Sequence, residues 1–225
     1  MALPVIITGP SGSGKSTSMR TFDPAEVAIV NVESKPLPFK RTKDGILNTD
    51  DYKTVEAAIL NTEKKAIVID DAGYLITNYF MRNHNSTGAG NNVFQMYNQM
   101  ADDFWELIHY IKNRLDDNKV VYIMMHEDVD ELNGVKPKTI GKLLDEKVCI
   151  EGMVTIVLRA FVEDGEHKFR VHSKANGDIT KTPIDMFKED EIDNDLRKVD
   201  TAIREYYELE PLVKVDVKSV KKGEK

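Results

Sequence analysis

The chain has 225 residues, 41% of them hydrophobic and 31% charged, a formal net charge of −7 at pH 7 and a single cysteine, Cys149. These bounds describe one globular domain with a sizeable core; they exclude an internal disulfide and a surface coated with basic charge for nucleic acid, and they fit a reducing, cytoplasmic setting. The longest apolar run, Val120 to Met125, falls far short of the ~20 residues a bilayer span needs, and Met1-Ala2-Leu3-Pro4 lacks a basic-then-apolar secretory pattern, so no membrane contact is expected.

The first predicted strand is Pro4–Thr8, followed by a glycine-rich turn and a helix opening over Lys15 to Thr21. Val27–Val32 is the second strand. Asp50 is placed to cap a helix over Asp51 to Leu60, whose Val55, Ala58 and Ile59 share one face. A third strand, Ala66–Asp70, leads toward a polar loop, Arg82 to Asn92. From Val93 to Leu115 the apolar residues Phe94, Tyr97, Ala101, Phe104, Ile108, Ile111 and Leu115 recur every three or four positions, the stripe of a helix that packs on a sheet. Val120–Met125 is the fourth strand. A second polar stretch, Asn133 to Lys147, follows it, and Cys149 beyond it reads as core packing. Strands at Met153–Ala160 and Lys168–Ser173 flank a tight turn at Asp164-Gly165, which predicts an antiparallel hairpin. Helix resumes at Ile192 to Tyr207, and the tail beyond Pro211 carries Lys214, Lys218, Lys221, Lys222 and Lys225. Strands alternating with helices predict an α/β fold in three layers around a mostly parallel sheet. The expected organisation is a domain over 1–187, a C-terminal helix docking on it over 188–210, and a basic tail over 211–225.

Gly9-Pro10-Ser11-Gly12-Ser13-Gly14-Lys15-Ser16 fits the pattern G-x-x-x-x-G-K-[ST], directly after a strand and running into a helix. Glycines there let backbone N–H groups close around an anion at a helix N-terminus. In such a loop Lys15 reaches the β- and γ-phosphates of a nucleoside triphosphate, the Ser16 hydroxyl binds Mg²⁺, and Thr17 lies near the α-phosphate. The expected cofactors are therefore ATP and Mg²⁺.

Asp70, at the end of the apolar run Ala66-Ile67-Val68-Ile69, is the natural second anchor for the metal, with Asp71 available to orient water. Glu33 and His126 also follow strands, and ligands of open α/β sheets bind outside the carboxyl ends of the strands. Ser16, Glu33, Asp70 and His126 are thus expected to converge, with Glu33 or Asp71 as general base and His126 as a γ-phosphate sensor.

The stretches GPSGSGKST, VAIVNVE, AIVIDD, NVFQMYNQMADDFWELIHYI, VVYIMMHED and SKANGDITKTPIDMF resemble a family of phage-encoded RecA-like P-loop ATPases, also labelled AAA-type, that is linked to single-strand annealing and recombination. The resemblance spans Leu3 to Phe187. It implies a sheet order 5-1-4-3-2 for the strands as numbered above, and it favours Glu33 over Asp71 as base. It further implies a homo-oligomer with nucleotide near the protomer interface, single-stranded DNA and a single-strand-binding or replication protein as partners, and the cytoplasm of a bacterial host. DNA would be met by the two polar stretches, through Arg82, Lys136, Lys138 and Lys142, and Lys174 would act in trans on a neighbour's phosphates. The chain departs from full recombinases in showing no N-terminal polymerisation segment and no large DNA-gathering domain.

Two other functions use the same loop. A small-molecule or nucleotide kinase would need an arginine-rich lid, for which Arg82, Arg114, Arg159 and Arg170 are the candidates. A nucleotide-gated switch for a protein partner would need only the loop and a surface; Arg204 and Tyr206-Tyr207 mark either such a contact or a helix docked on its own core.

Overall fold

The computed structural model describes residues 1–85, 91–130, 134–141, 143–174 and 177–212. Along the chain the strands are β1 (Leu3–Gly9), β2 (Val27–Asn31), β3 (Ile46–Asn48), β4 (Ala66–Asp70), β5 (Val120–Asp130), β6 (Gly134–Pro137), β7 (Ile156–Glu163), β8 (Glu166–Arg170) and β9 (Glu191–Asp193). The helices are α1 (Tyr52–Asn61), α2 (Gly73–Asn83), α3 (Asn91–Arg114) and α4 (Leu196–Tyr206). Among the described residues the strands form one sheet in the order β3-β2-β4-β5-β1-β7-β8-β9, with β6 pairing the far end of β5. The pairs from β3 to β7 are parallel, while β5–β6, β7–β8 and β8–β9 are antiparallel.

The central strands are apolar on both faces because both faces are covered. Ile6, Ile67, Ile69, Val121 and Ile123 point to the side of α1, α2 and α3. Their neighbours Val5, Ile7, Val68, Tyr122 and Met124 point to the other side, where Met19, Phe22 and the α4 residues Leu196, Val199 and Ile203 meet them. This period of two, read on two faces, makes three layers. No described helix is long and apolar enough to cross a membrane.

Several elements differ from expectation, each for a local reason. The helix after the glycine-rich turn is a single 3-10 segment, Ser16–Thr21, in which Ser18 Oγ donates to Lys15 O at 2.6 Å; hydroxyl side chains that bond the backbone compete with a regular α-helix. Helix α2 was not foreseen: its sequence, GYLITNYFMRN, is rich in aromatic and β-branched residues, and its N-cap Ala72 offers no side-chain cap. Arg82 therefore lies on a helix. Phe94 is 71% exposed; the α3 stripe is buried only from Met96 onward, since periodicity marks an angular face and not how far the partner extends along the axis.

Residues 134–137, expected within a polar loop, instead form an edge strand, with Lys136 and Pro137 as residues suited to an unpaired edge. Cys149 is exposed and donates to Glu151 Oε1 at 3.0 Å; it lies in irregular chain between two short turns and so has no core-facing side. The last helix begins at Leu196, later than Ile192, because Glu191–Asp193 adds to the sheet against β8. The segment 188–210 is thus built into the sheet as well as docked on it. Of the expected tail, 213–225, with all five of its lysines, lies outside the described residues.

Helix α4 is pinned through a buried network. Tyr122 donates its hydroxyl to Asp200 Oδ1 at 2.8 Å, Arg204 Nε donates to Asp200 Oδ2 at 2.5 Å, and Arg204 also bonds the carbonyls of Asn118 and Glu210. Burial raises the Asp200 carboxyl despite the Arg204 charge. Arg204 is 3% exposed, which makes it a core residue and not a partner contact. Breaking a buried pair leaves one charge uncompensated, so Arg204→Ala is expected to cost about 3–5 kcal/mol in urea unfolding at unchanged m, with Asp200→Asn in the same chain recovering much of the loss.

Candidate active site

Strand register sets the site. Gly9 is level with His126 across β1–β5, Asn31 is level with Asp70 across β2–β4, and Thr8 is level with Arg159 across β1–β7. The residues that follow these positions therefore emerge at one edge of the sheet. The turn starts at Gly9, where a Cβ would stand 2.4 Å from Ala160 O, so only glycine lets β1 leave the sheet so close to β7. Gly14 has φ +94°, a region that side chains disfavour, and a Cβ there would meet the His167 ring at 2.8 Å.

Lys15 is buried, and its Nζ donates to Gly9 O at 2.7 Å and Pro10 O at 2.9 Å, which folds the ammonium over the turn. Burial lowers its pKa against the opposing charges of Asp71 and Asp70. Ser16 Oγ donates to Asp70 Oδ1 at 2.8 Å. Asp70 is 1% exposed, and its other oxygen, Oδ2, has no hydrogen-bond partner. Burial, reinforced by the neighbouring Asp71 charge, pushes its carboxyl up to about 6.

Among the described residues no group of three or more His, Cys, Asp or Glu is placed to hold a metal alone. An orphaned carboxylate oxygen beside a hydroxyl is nonetheless a fitting pair of ligands for Mg²⁺, which binds through one or two carboxylates and completes its shell with phosphate oxygens and water. Ser16 and Asp70 are the residues that would hold it.

Asp71 follows at φ +58°, a left-handed backbone for a non-glycine residue. Its Oδ2 is ion-paired with Lys35, and its Oδ1 lies 3.6 Å from His126 Nε2. Burial and then the Lys15 charge hold the His126 imidazole below its ordinary range, and the Tyr74 ring meets it edge-on at 6.0 Å. Next to His126, Glu127 receives a two-pronged bond from Arg159, at 2.9 and 2.7 Å. A cavity of about 560 Å³ opens between these residues and Pro10-Ser11 of the turn, with Lys138 on its rim.

Lys15, Ser16, Asp70, Asp71 and His126 are thus brought together. Glu33 stands to one side, where Asn78 Nδ2 donates to its Oε1 at 2.9 Å and also to Asp50 Oδ2. Arg82 donates to the same Asp50 oxygen at 2.6 Å, away from the cavity. Lys136 lies on β6, and the Lys138 amide donates to the His126 carbonyl at 2.8 Å. Lys142 lies outside the described residues. Lys174 is tied within its own chain to Glu191, at 2.6 Å. Lys35, Tyr74 and Asn78 were missed by sequence reasoning. Lys35 carried one weak signal, its place two residues after Glu33 at a strand end; Tyr74 and Asn78 share a face of α2, the helix that was not foreseen.

A family model described as an AAA domain matches residues 1–184 of the sequence. No curated protein matches it.

The Asp70 shift carries a stability consequence. Its carboxyl titrates near 3.8 when unfolded and about 6 when folded, so the folded chain binds more protons in that window and loses stability as pH rises through it, by about 3 kcal/mol at most. Asp70→Asn keeps an acceptor for Ser16 and removes the ionisation. In urea titrations with chelator it is expected to exceed wild type by about 2–3 kcal/mol near pH 7.5 and to converge with it near pH 4. A gap that does not change with pH would show that Asp70 titrates normally.

Proposed function

Because the chain belongs to the AAA-domain family, we propose that it binds a nucleoside triphosphate at Gly9–Thr17 and hydrolyses it with Mg²⁺ as a RecA-like ATPase acting on single-stranded DNA. The observation that carries this reading is the 2.8 Å bond from Ser16 Oγ to Asp70 Oδ1 beside the partnerless Asp70 Oδ2, at the end of a glycine-rich turn.

In this reading Lys15 leaves the carbonyls of Gly9 and Pro10 for oxygens of the β- and γ-phosphates. Ser16 and Asp70 would hold Mg²⁺, which would supply charge neutralisation for the phosphates. The proton of the attacking water goes to Glu33, the base that the resemblance favours although Asn78 holds it to one side of the cluster, or to Asp71 within the cluster, and His126 reads the terminal phosphate. Arg82, Arg159 and Arg170 are engaged by Asp50, Glu127 and Glu191 of the same chain, which leaves the kinase alternative with few cations for an acceptor lid.

DNA would be met by the β5–β6 hairpin. Lys136 lies on it, and the Lys138 amide is bonded to the His126 carbonyl, which ties the lysine-bearing segment to the strand end beside the site. Action in phage recombination, a homo-oligomeric arrangement and a replication-protein partner are proposed from the resemblance alone.

The test is phosphate release from ATP with and without single-stranded DNA. We expect release that DNA stimulates several-fold, that falls to background in Lys15→Ala, and whose stimulation is reduced in Lys136→Ala. Lys15-dependent release indifferent to DNA would replace the DNA reading with a protein-partner switch; no release would redirect the search to a phosphoryl acceptor.

A further inference from the structure

A lysine that belongs to none of the sequence motifs faces the same cavity as the phosphate-binding turn. Lys35 lies in the connection that leaves β2, and it lines the cavity together with Pro10, Ser11, Tyr74, His126 and Lys138. Its ammonium is paired with Asp71 Oδ2.

The two partners are unequal. The Lys35 side chain is 50% exposed, whereas the Asp71 side chain is 3% exposed. Asp71 is fixed by its place at the end of β4, where the next amide, that of Ala72, donates to Met124 O at 2.7 Å. Lys35 sits on a flexible four-carbon stem that is free to swing. Left-handed backbone stands at both ends of the contact, at Ser34 (φ +55°) and Asp71 (φ +58°), two non-glycine residues held in a disfavoured conformation. The charge of Lys35 also reaches both Lys15 and His126, so it acts within the same electrostatic field as the turn.

We propose that Lys35 is a second phosphate ligand, acting in cis: with a nucleoside triphosphate bound, its ammonium leaves Asp71 for an oxygen of the terminal phosphate, and with a diphosphate bound it returns. The inference rests on the nucleotide-binding reading above. A terminal phosphate carries more charge and more acceptor oxygens than one carboxylate, so it outcompetes Asp71 for a half-exposed lysine. A diphosphate lacks that group, and the ion pair persists. The pair thus reports which nucleotide is bound and frees the Asp71 carboxylate only in the triphosphate state.

The experiment is calorimetric titration of the full chain, with Mg²⁺, by a non-hydrolysable triphosphate analogue and separately by ADP. Lys35→Ala is expected to raise the analogue Kd about tenfold or more while changing the ADP Kd less than about twofold, and Lys35→Arg to restore most of the analogue affinity. Asp71→Asn, which releases Lys35 without removing it, is expected to tighten the analogue by a larger factor than it tightens ADP. Equal losses for both nucleotides in Lys35→Ala, or an unchanged analogue Kd, would overturn the proposal. Wild type that binds neither nucleotide would overturn the nucleotide reading itself, a result distinct from tight wild-type binding that Lys35→Ala leaves intact.

Discussion

The hydrogen bond from Ser16 to Asp70 imposes a demand on the whole sheet, because the strands that deliver its two ends are not neighbours. β5 lies between β1 and β4, and Val120 pairs with both Leu3 and Ala66, so the two outer strands start at the same level. From there β4 ends at Asp70, while β1 runs on to Gly9, level with His126. The turn after Gly9 must then lean back over β5 for Ser16 to reach the carboxylate. A slip of one residue in either pairing would turn the side chains of that strand to the opposite face and separate the pair. Continuous apolar sequence on three adjacent strands, buried on both faces, holds that register.

Bringing Asp70 and Asp71 together at a buried edge is electrostatically costly, and the surrounding groups show how the cost is distributed. Burial raises Asp70 and lowers Lys15, so each disfavours its own charge. Burial also opposes the Lys35 charge, but the hydrogen bond and charge of Asp71 outweigh it and leave Lys35 above its ordinary range. The two acids therefore have different standing. Neither Asp70 Oδ2 nor Asp71 Oδ2 accepts a well-directed hydrogen bond, but Asp71 Oδ2 is ion-paired with Lys35 and Asp71 Oδ1 faces His126, whereas Asp70 Oδ2 has no ion-pair partner among the described residues. On the proposed reading, that asymmetry suits Asp70 to a cation and Asp71 to an exchange of ion pairs.

How much of this was legible follows from what each signal measures. Runs such as Ala66–Asp70 and Val120–Met125 report burial on both faces, and the spacing from Gly9 to Ser16 reports a backbone built around an anion, so the central strands and the phosphate turn were readable from the residues. The order of the strands was not, since no residue of β1 records that β5 rather than β4 lies beside it. The short edge strand β3 has only three residues, two of them exposed, and gives no periodicity to detect. Helix α2 lacked a side-chain cap and had few good helix formers, and with it were lost Tyr74 and Asn78. Lys35 was missed for a different reason: beyond its place near a strand end, its significance is a contact with Asp71, 36 positions away in sequence, and local pattern says nothing about such pairs.

The flanks of the phosphate turn differ in how they are tied to the rest of the chain. On one flank the C-terminal elements brace the turn: His167 of β8 packs against Gly14, Arg20 donates to Asn194 O at 2.7 Å, and Thr21 donates to Asp195, which also caps α4. Helix α4 is in turn fixed to β5 by the buried Tyr122–Asp200–Arg204 network. On the other flank lies the cavity, bounded by a half-exposed Lys35, by Lys138 and by a hairpin whose β6 strand pairs with β5 and is tied to Gly177 O through the Val135 amide. On the proposed reading, the groups placed to respond to a bound nucleotide are those on the cavity side, where Lys35 meets Asp71 and the Lys138 amide meets the His126 carbonyl.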